Sequence, residues 1–151
     1  MKCVLNKVNE IFQAEGIVFP LKNQSAVTEE NRFEQWLAIQ QRIFGIQNIN
    51  SMRDSAPQEL KHIQDYLSAY CFGDFYTRGV LDLKMRELIT FCSICCLGGC
   101  EPQAKAHAAA NLSVGNTRDT LIEAITQCLP FIGFPRTLNA ISCINAVSDK
   151  K

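Results

Sequence analysis

The chain has 151 residues, and its 15 basic and 15 acidic side chains cancel, so its formal net charge is zero. This length favours one domain with a real hydrophobic core, and the lack of a basic stripe excludes the usual surface of a nucleic-acid binder. The N-terminus lacks the apolar core of a signal peptide, and no apolar run is long enough to span a membrane, so we predict a cytoplasmic protein without a membrane or nucleic-acid partner.

Hydrophobic residues recur at helical spacing along most of the chain. Residues 1–16 predict an amphipathic helix, and a second helix is expected over residues 28–44, with Thr28 as its N-cap. The polar residues 46–56 are predicted to be irregular. A further helix is expected over residues 57–73, because a proline suits its first position and a glycine its end.

The second half of the chain predicts a close series of helices rich in small residues. Asp82 is expected to cap the first of them, and the Gly98-Gly99 pair joins it to the next as a hairpin. The expected helices cover residues 83–97, 102–114, 118–132 and 136–147. The sequence thus predicts an all-α domain of about six helices with a central antiparallel hairpin. Residues 1–56 are assigned to an N-terminal helical extension and residues 57–151 to the main domain, in one compact unit.

The stretch FCSICCLGGCEPQAKAH, residues 91–107, holds four cysteines and one histidine. Structural disulfides are rare in cytoplasmic proteins, so its thiols are core residues, metal ligands or redox groups. Zinc sites usually pair two Cys-x-x-Cys units and this chain has only one, so no metal is predicted. Core packing and redox chemistry both stay open for Cys92, Cys95, Cys96 and Cys100. Three other cysteines at apolar helical positions are expected in the core, namely Cys71, Cys128 and Cys143.

The hairpin is expected to bring Glu87 and His107 to neighbouring heights. Counted from the glycine turn, Cys92 and His107 lie level, and Glu87 lies about one helical turn further away. A carboxylate on so apolar a helix is costly to bury unpaired, so we expect Glu87 to pair with His107 or Arg86, in an arrangement suited to proton transfer. At 100° per residue, Cys95 lies about 80° from Glu87 and is the thiol we favour beside His107.

Several separated motifs, in this order, resemble the carboxymuconolactone decarboxylase family over about residues 70–147. They are Gly73-Asp74-Phe75 with Arg78, Arg86-Glu87-Leu88, His107, Gly115 with Thr117, and Gly133-Phe134-Pro135-Arg136. The resemblance implies an all-helical subunit that forms trimers or hexamers and binds a small-molecule substrate near the Glu/His helix pair. Large apolar faces on a small helical chain also favour a homo-oligomer.

One branch of this family, typified by alkylhydroperoxidase D, consists of thiol peroxidases with a Glu…Cys-x-x-Cys-x-x-x-His arrangement. Cys100 matches the first cysteine of that pattern, and its place before a helix favours the thiolate. The second cysteine position holds Gln103, so the inherited pair is incomplete. A redox cycle would also need a second thiol and an external reductant, such as a dithiol protein. The predicted catalytic residues are Glu87, Cys95, Cys100 and His107, with Cys92 and Cys96 as candidate redox partners.

The other branch decarboxylates a lactone in the breakdown of aromatic compounds. In this interpretation no metal or cofactor is needed, because His107 with Glu87 moves a proton to the carbon that loses carbon dioxide. The substrate carboxylates would bind to arginines, which equally suit ion pairs between subunits. The candidates are Arg78, Arg86 and Arg136.

From the sequence we predict a cofactor-free, thiol-dependent oxidoreductase of the peroxidase or disulfide-reductase type. A cytoplasmic chain has little structural reason to cluster four thiols beside a histidine and a glutamate. The alternative is a cofactor-free decarboxylase of a carboxylated lactone. A non-catalytic oligomeric binding protein is the third possibility.

Overall fold

The computed structural model describes residues 2–148, apart from the side chain of Phe33, and within that part the regular elements are helices without any strand. The α-helices are α1 (Lys2–Ala14), α2 (Arg32–Phe44), α3 (Ile46–Asp54), α4 (Lys61–Tyr66), α5 (Leu83–Leu97), α6 (Glu101–Ser113) and α7 (Arg118–Ser148). A 3-10 turn at Gln58–Leu60 precedes α4, and a π-helix at Leu67–Phe75 follows it. The predicted all-α class is confirmed. No helix within residues 2–148 has both the length and the apolar character needed to cross a bilayer.

Two predictions for the N-terminal half are wrong. Residues 46–56 were expected to be irregular but contain α3, because burial of Ile49, only 3% exposed, outweighs the weak helix propensity of the surrounding asparagines. Thr28 is not the N-cap of α2, since Asn31 holds that position. Thr28 instead forms the preceding turn, where its N–H donates to Asn31 Oδ1 at 2.8 Å.

The helix expected over residues 57–73 is divided into three successive helical types and extends to Phe75. In its π-helical part, the N–H of Tyr76 donates to the carbonyl of Cys71, five residues earlier, at 3.1 Å. This segment packs closely against α2. A Cβ at Gly73 would lie 3.3 Å from Arg32 Cγ and 3.4 Å from Trp36 Cβ, so little more than a glycine fits between the two helices without a small shift of Arg32.

The helix ends of the second half follow the predicted signals. The Asp82 side chain accepts a hydrogen bond from the N–H of Met85 at 2.9 Å and so caps α5. Helix α6 begins at Glu101, one residue before the proline that was expected to start it, and Cys100 is its N-cap. The predicted break near residue 133 is confirmed, because Gly133 at φ 73° and ψ 169° interrupts α7.

Two hydrophobic clusters lie on either side of α6. The first joins α5, α6 and α7 and includes Phe91, Cys95, Ala104, Ala108, Leu121, Ile125, Ala140, Cys143 and Ile144. The second joins α2, the π-helical segment and α6 and includes Trp36, Ile43, Phe72, Tyr76 and Ala110. The alanines of α6 allow close packing on both sides, so α6 is the central helix of the domain.

Many large hydrophobic side chains of this chain lie on its surface. Helix α1 buries none of its residues, although its apolar side chains form one face. Phe131 and Phe134, at the break in α7, are also exposed. Such faces are typical of chains that associate with other copies or partners.

Candidate active site

Glu87 and His107 form a hydrogen-bonded pair across the α5–α6 hairpin. His107 Nδ1 lies 2.8 Å from Glu87 Oε2, and the Glu87 side chain has no solvent exposure. Of the two expected partners of Glu87, His107 forms the pair, whereas Arg86 is engaged by backbone carbonyls. Because Nδ1 is engaged by the carboxyl group, Nε2 is the ring nitrogen left for a bound molecule. The pair is therefore arranged to move a proton between a buried carboxyl group and a ligand.

Asn111 holds the backbone of both helices around this pair. Its Nδ2 donates to the carbonyl of Glu87 at 3.0 Å and to the carbonyl of His107 at 2.8 Å. Its Oδ1 accepts from Asn116 Nδ2 at 2.7 Å, and Asn116 also donates to the carbonyl of Lys84 at 2.9 Å. Asn111 is fully buried, so this network fixes the relative height of α5 and α6.

A cleft of about 720 Å³ opens beside His107. It lies between α6, α2, α3, the π-helix and one face of α5, and most of its walls are apolar. The ring of Phe44 packs edge-on against the ring of His107, with 5.3 Å between centroids. The apolar lining residues are Ile43, Phe44, Ile49, Met52, Leu67, Phe72, Ile94, Ala106, Ala109 and Ala110, and the others are Gln40, Asn48, Cys71, Thr90, Gln103, His107 and Ser113.

Thr90 and Tyr76 form a second hydrogen-bonded pair at the cleft wall. The Tyr76 hydroxyl donates to Thr90 Oγ1 at 2.7 Å. Burial, followed by the negative charge of Glu87, raises the pKa of Tyr76, so its hydroxyl stays protonated. The Thr90 hydroxyl accepts this bond and keeps its own proton to donate.

Arg86, one of the three candidate substrate-binding arginines, holds a loop in the structure. The guanidinium of Arg86 donates to four backbone carbonyls of one loop, those of Phe75, Arg78, Gly79 and Leu81. The hydrogen bonds to Phe75 and Gly79 measure 2.8 and 2.9 Å. Arg86 therefore fastens residues 75–81 onto the start of α5.

None of the three predicted substrate-binding arginines lines the cleft. Arg136 lies on the other side of α5, where its Nη1 donates to the carbonyl of Cys96 at 3.1 Å. Arg78 is half-buried and also lies outside the lining. Their role in substrate binding stays a prediction.

The cysteines of residues 91–107 do not line the cleft either. Cys95, which we favoured beside His107, is buried in the first hydrophobic cluster and lines a separate cavity of about 20 Å³ together with Cys100 and Cys143. Cys92 and Cys96 lie near Cys128 of α7, and burial together with this neighbouring thiol raises the pKa of both. The structure therefore brings Glu87 and His107 together but leaves the predicted redox thiols on the other sides of α5. Their catalytic role stays a prediction.

The buried thiols are held in the protonated form. Burial, followed by neighbouring thiols, raises the pKa of Cys92 and that of Cys95 to about 12. Cys71 is the cysteine among the cleft-lining residues, and burial, followed by the charge of Glu87, raises its pKa to about 11. All eight cysteines are free thiols. Within residues 2–148, no three His, Cys, Asp or Glu side chains are grouped so that they could hold a metal ion.

Sequence reasoning missed Asn111, Thr90 and Tyr76 as parts of the site. The spacing of Asn111, four residues after His107, was a usable signal, because it places both side chains on one face of α6. Thr90 lies three residues after Glu87, and this spacing likewise places both side chains on one face of α5. Tyr76 gave no such signal, because it lies outside α5, 14 residues before Thr90, and their contact depends on the tertiary structure.

Comparisons with known proteins agree with the motifs and the fold. The sequence model of the carboxymuconolactone decarboxylase family matches residues 61–146. The chain is also 26% identical over 109 residues to a protein of Acinetobacter baylyi named 4-carboxymuconolactone decarboxylase, and this alignment covers 72% of the chain and 81% of that protein. Since the family match spans more than half of the sequence, the chain belongs to the carboxymuconolactone decarboxylase family.

Proposed function

We propose that this protein decarboxylates a small unsaturated lactone acid by proton transfer through His107 and Glu87. The observation that carries the proposal is the placement of His107, hydrogen-bonded to the buried Glu87, at the wall of a large apolar cleft that none of the thiols at residues 92–100 lines. The similarity to a protein named 4-carboxymuconolactone decarboxylase supports the same class of reaction. This was the alternative from the sequence, and the cleft geometry supports it.

The reaction needs one proton and no oxidant. The bond between the lactone ring and the carboxylate carbon breaks, and its electron pair enters the conjugated lactone as carbon dioxide leaves. Protonated His107 then donates from Nε2 to carbon, and Glu87 stabilises the charged imidazole through Nδ1. Overall, the lactone carboxylate takes up one proton and yields the decarboxylated lactone and carbon dioxide. The resulting neutral imidazole regains its proton from solvent.

The apolar walls contribute to this reaction directly. Phe44 and Ile94 exclude water from part of the cleft, so a carboxylate bound there loses hydration. The negative charge spreads over the lactone as the bond breaks. Loss of hydration therefore raises the free energy of the bound carboxylate more than that of the transition state. The Thr90 hydroxyl can donate to the lactone carbonyl that receives this charge.

The test is release of carbon dioxide from an unsaturated lactone carboxylic acid. We expect turnover with the wild-type protein and with Cys95→Ser and Cys100→Ser, and loss of turnover with His107→Ala. Glu87→Gln keeps the shape of the side chain but removes its charge and is expected to slow the reaction strongly. Turnover that depends on either cysteine and not on His107 would refute the proposal.

Thiol-dependent oxidoreduction is the second candidate, and the contacts among the thiols favour it. Cys95 and Cys100 line one small cavity, and Cys92 and Cys96 both lie near Cys128. A thiolate would attack a hydroperoxide to give a sulfenic acid and an alcohol. A second thiol would then displace water to form a disulfide, which an external dithiol reduces.

Timed trapping separates the two candidates. Fully reduced protein is mixed anaerobically with a small excess of peroxide, its thiols are alkylated at intervals, and disulfides are mapped by peptide mass. One rapid disulfide, reversed by a dithiol, would support oxidoreductase activity. Thiols that stay reduced for many minutes would exclude it. A protein inactive in both assays that still binds lactone acids would be a binding protein.

A homo-oligomer, either trimer or hexamer, and a cytoplasmic location are proposals as well. The exposed apolar faces of α1 and of the break in α7 support self-association. Light scattering coupled to size-exclusion chromatography measures the subunit number directly. A monomer at micromolar concentration would contradict the oligomeric proposal.

A further inference from the structure

The cleft beside His107 offers few charged side chains to a ligand that carries two carboxylates. Among the described residues that line it there is no Lys, Arg, Asp or Glu. His107 is the cationic group the lining can offer, and its charge is shared with Glu87 at 2.8 Å. A ligand with two carboxylates would leave at least one of them without a cationic partner.

Three arginines of the domain are engaged elsewhere. Arg53 pairs with Asp65 at 2.6 Å, and its guanidinium lies over the ring of Trp36 at 4.9 Å. Arg86 is held by four carbonyls, and Arg136 by the carbonyl of Cys96. Turning any of these side chains towards the cleft would break the contacts that hold it.

Most polar groups of the lining are also occupied within the protein. Gln40 Oε1 accepts from Ser68 at 2.9 Å, and Asn48 Nδ2 donates to the carbonyl of Phe44 at 2.9 Å. Ser113 Oγ lies 2.8 and 3.0 Å from the carbonyls of Ala110 and Ile43.

Five lining side chains keep polar capacity for a ligand, namely His107 at Nε2, Thr90 at its hydroxyl, Gln103 at its amide, Gln40 at Nε2 and Asn48 at Oδ1. One of these groups can carry a positive charge and the other four are neutral. This set suits one carboxylate and one carbonyl. The remaining walls are aliphatic and aromatic and suit a substituent without charge.

We propose that the substrate is a lactone acid with a single carboxylate and an apolar substituent, and not a dicarboxylate. The inference rests on the proposed decarboxylase function and specifies its substrate class. A second carboxylate would lose hydration in the cleft without gaining an ionic partner. An alkyl or aryl group in its place would instead bury apolar surface against Phe72, Met52 and Ile94.

Titration calorimetry on the full chain tests the inference with two matched probes. Both are butenolide carboxylic acids, and they differ only in a second substituent, isobutyl in one and carboxymethyl in the other, which have nearly the same shape. We expect the isobutyl acid to bind at least about 10-fold more tightly. Tighter binding of the carboxymethyl acid, or binding of neither acid, would overturn the inference.

Gln103 offers a matched pair of variants, because it lines the cleft one helical turn before His107. Gln103→Lys adds a cation and should raise the affinity for the carboxymethyl acid about 10-fold, while Gln103→Met, of similar length, should not. An unchanged preference in Gln103→Lys would count against charge as the cause. Binding of the isobutyl acid without release of carbon dioxide would refute the decarboxylase function and leave the binding preference intact.

Discussion

Two sides of helix α5 differ in chemistry, although one stretch of fifteen residues supplies both. Thr90 faces the cleft beside His107, whereas Cys92, Cys95 and Cys96 face the α7 side of the domain, and Ile94 lies between the two sides. Thr90 and Cys95 are five residues apart in sequence and about 140° apart around the helix. The comparison teaches that thiols close to a histidine along the chain need not share its site.

The two sides also differ in how ready their groups are to react. On the cleft side Glu87 is hydrogen-bonded to His107 Nδ1, an arrangement suited to proton transfer between His107 Nε2 and a ligand. On the thiol side, burial favours the neutral form of Cys92 and Cys95. Burial therefore supports proton transfer on one side and suppresses nucleophilic sulfur on the other.

The largest expected effect is on turnover of lactone acids. His107→Ala and Glu87→Gln should each lower kcat about 100- to 10,000-fold, because both remove the proton relay. Cys95→Ser is the matched control and should stay within about twofold, because Cys95 does not line the cleft. Equal losses of kcat in all three variants would contradict the different roles assigned to the two sides of α5.

The second prediction concerns thiol alkylation. With a pKa of about 12, Cys92 and Cys95 should react roughly 1,000-fold more slowly at pH 7 than an ordinary thiol. Their rates should rise about tenfold per pH unit as the thiolate forms. Iodoacetamide labelling followed by peptide mass analysis measures this, with the exposed Cys3 as internal reference. Fast labelling of Cys95 at pH 7 would reopen the redox proposal.

The third prediction concerns the network that joins α5 to α6. Asn111→Ala removes a buried amide that bonds to Glu87, His107 and Asn116, so the free energy of unfolding should fall by about 3 kcal/mol. Asn139→Ala is the control, because this exposed amide bonds only to Glu101 in the described structure, and it should cost less than about 0.5 kcal/mol. Urea denaturation compares the two variants, and equal losses would contradict the assigned role.

The smallest expected effect separates a structural arginine from a substrate-binding one. Arg86→Ala releases the loop at residues 75–81 and should lower the free energy of unfolding by about 2 kcal/mol. Since Arg86 does not line the cleft, KM for a lactone acid should change less than about twofold. A large rise in KM without a loss of stability would restore its predicted contact with substrate.

Much of the fold could be predicted because its signals are local. The Asp82 cap, the glycine turn after Leu97 and the break at Gly133 each depend on residues a few positions apart. Helix α3 could not be predicted this way, because its stability comes from burying Ile49 in the folded domain and not from helix-forming residues.

The site was predictable in part for the same reason. The height of Glu87 and His107 follows from counting along a hairpin, and their contact is confirmed. The face occupied by each cysteine depends on which sides of α5 meet α6 and α7, and periodicity does not specify that. The cleft itself requires the packing of α2, α3 and the π-helix, which are distant in sequence from His107.

The π-helix lets the cleft tolerate a change in chain length. Leu67 and Phe72 both line the cleft, and their separation by five positions corresponds to the i to i+5 hydrogen bonds of a π-helix. Deleting one residue between them, such as Ala69, would convert this wide turn to an α-helical turn and leave the two side chains four residues apart, on one face of the helix. A single-codon deletion at this turn therefore removes one residue from the chain and keeps both side chains in the wall of the cleft.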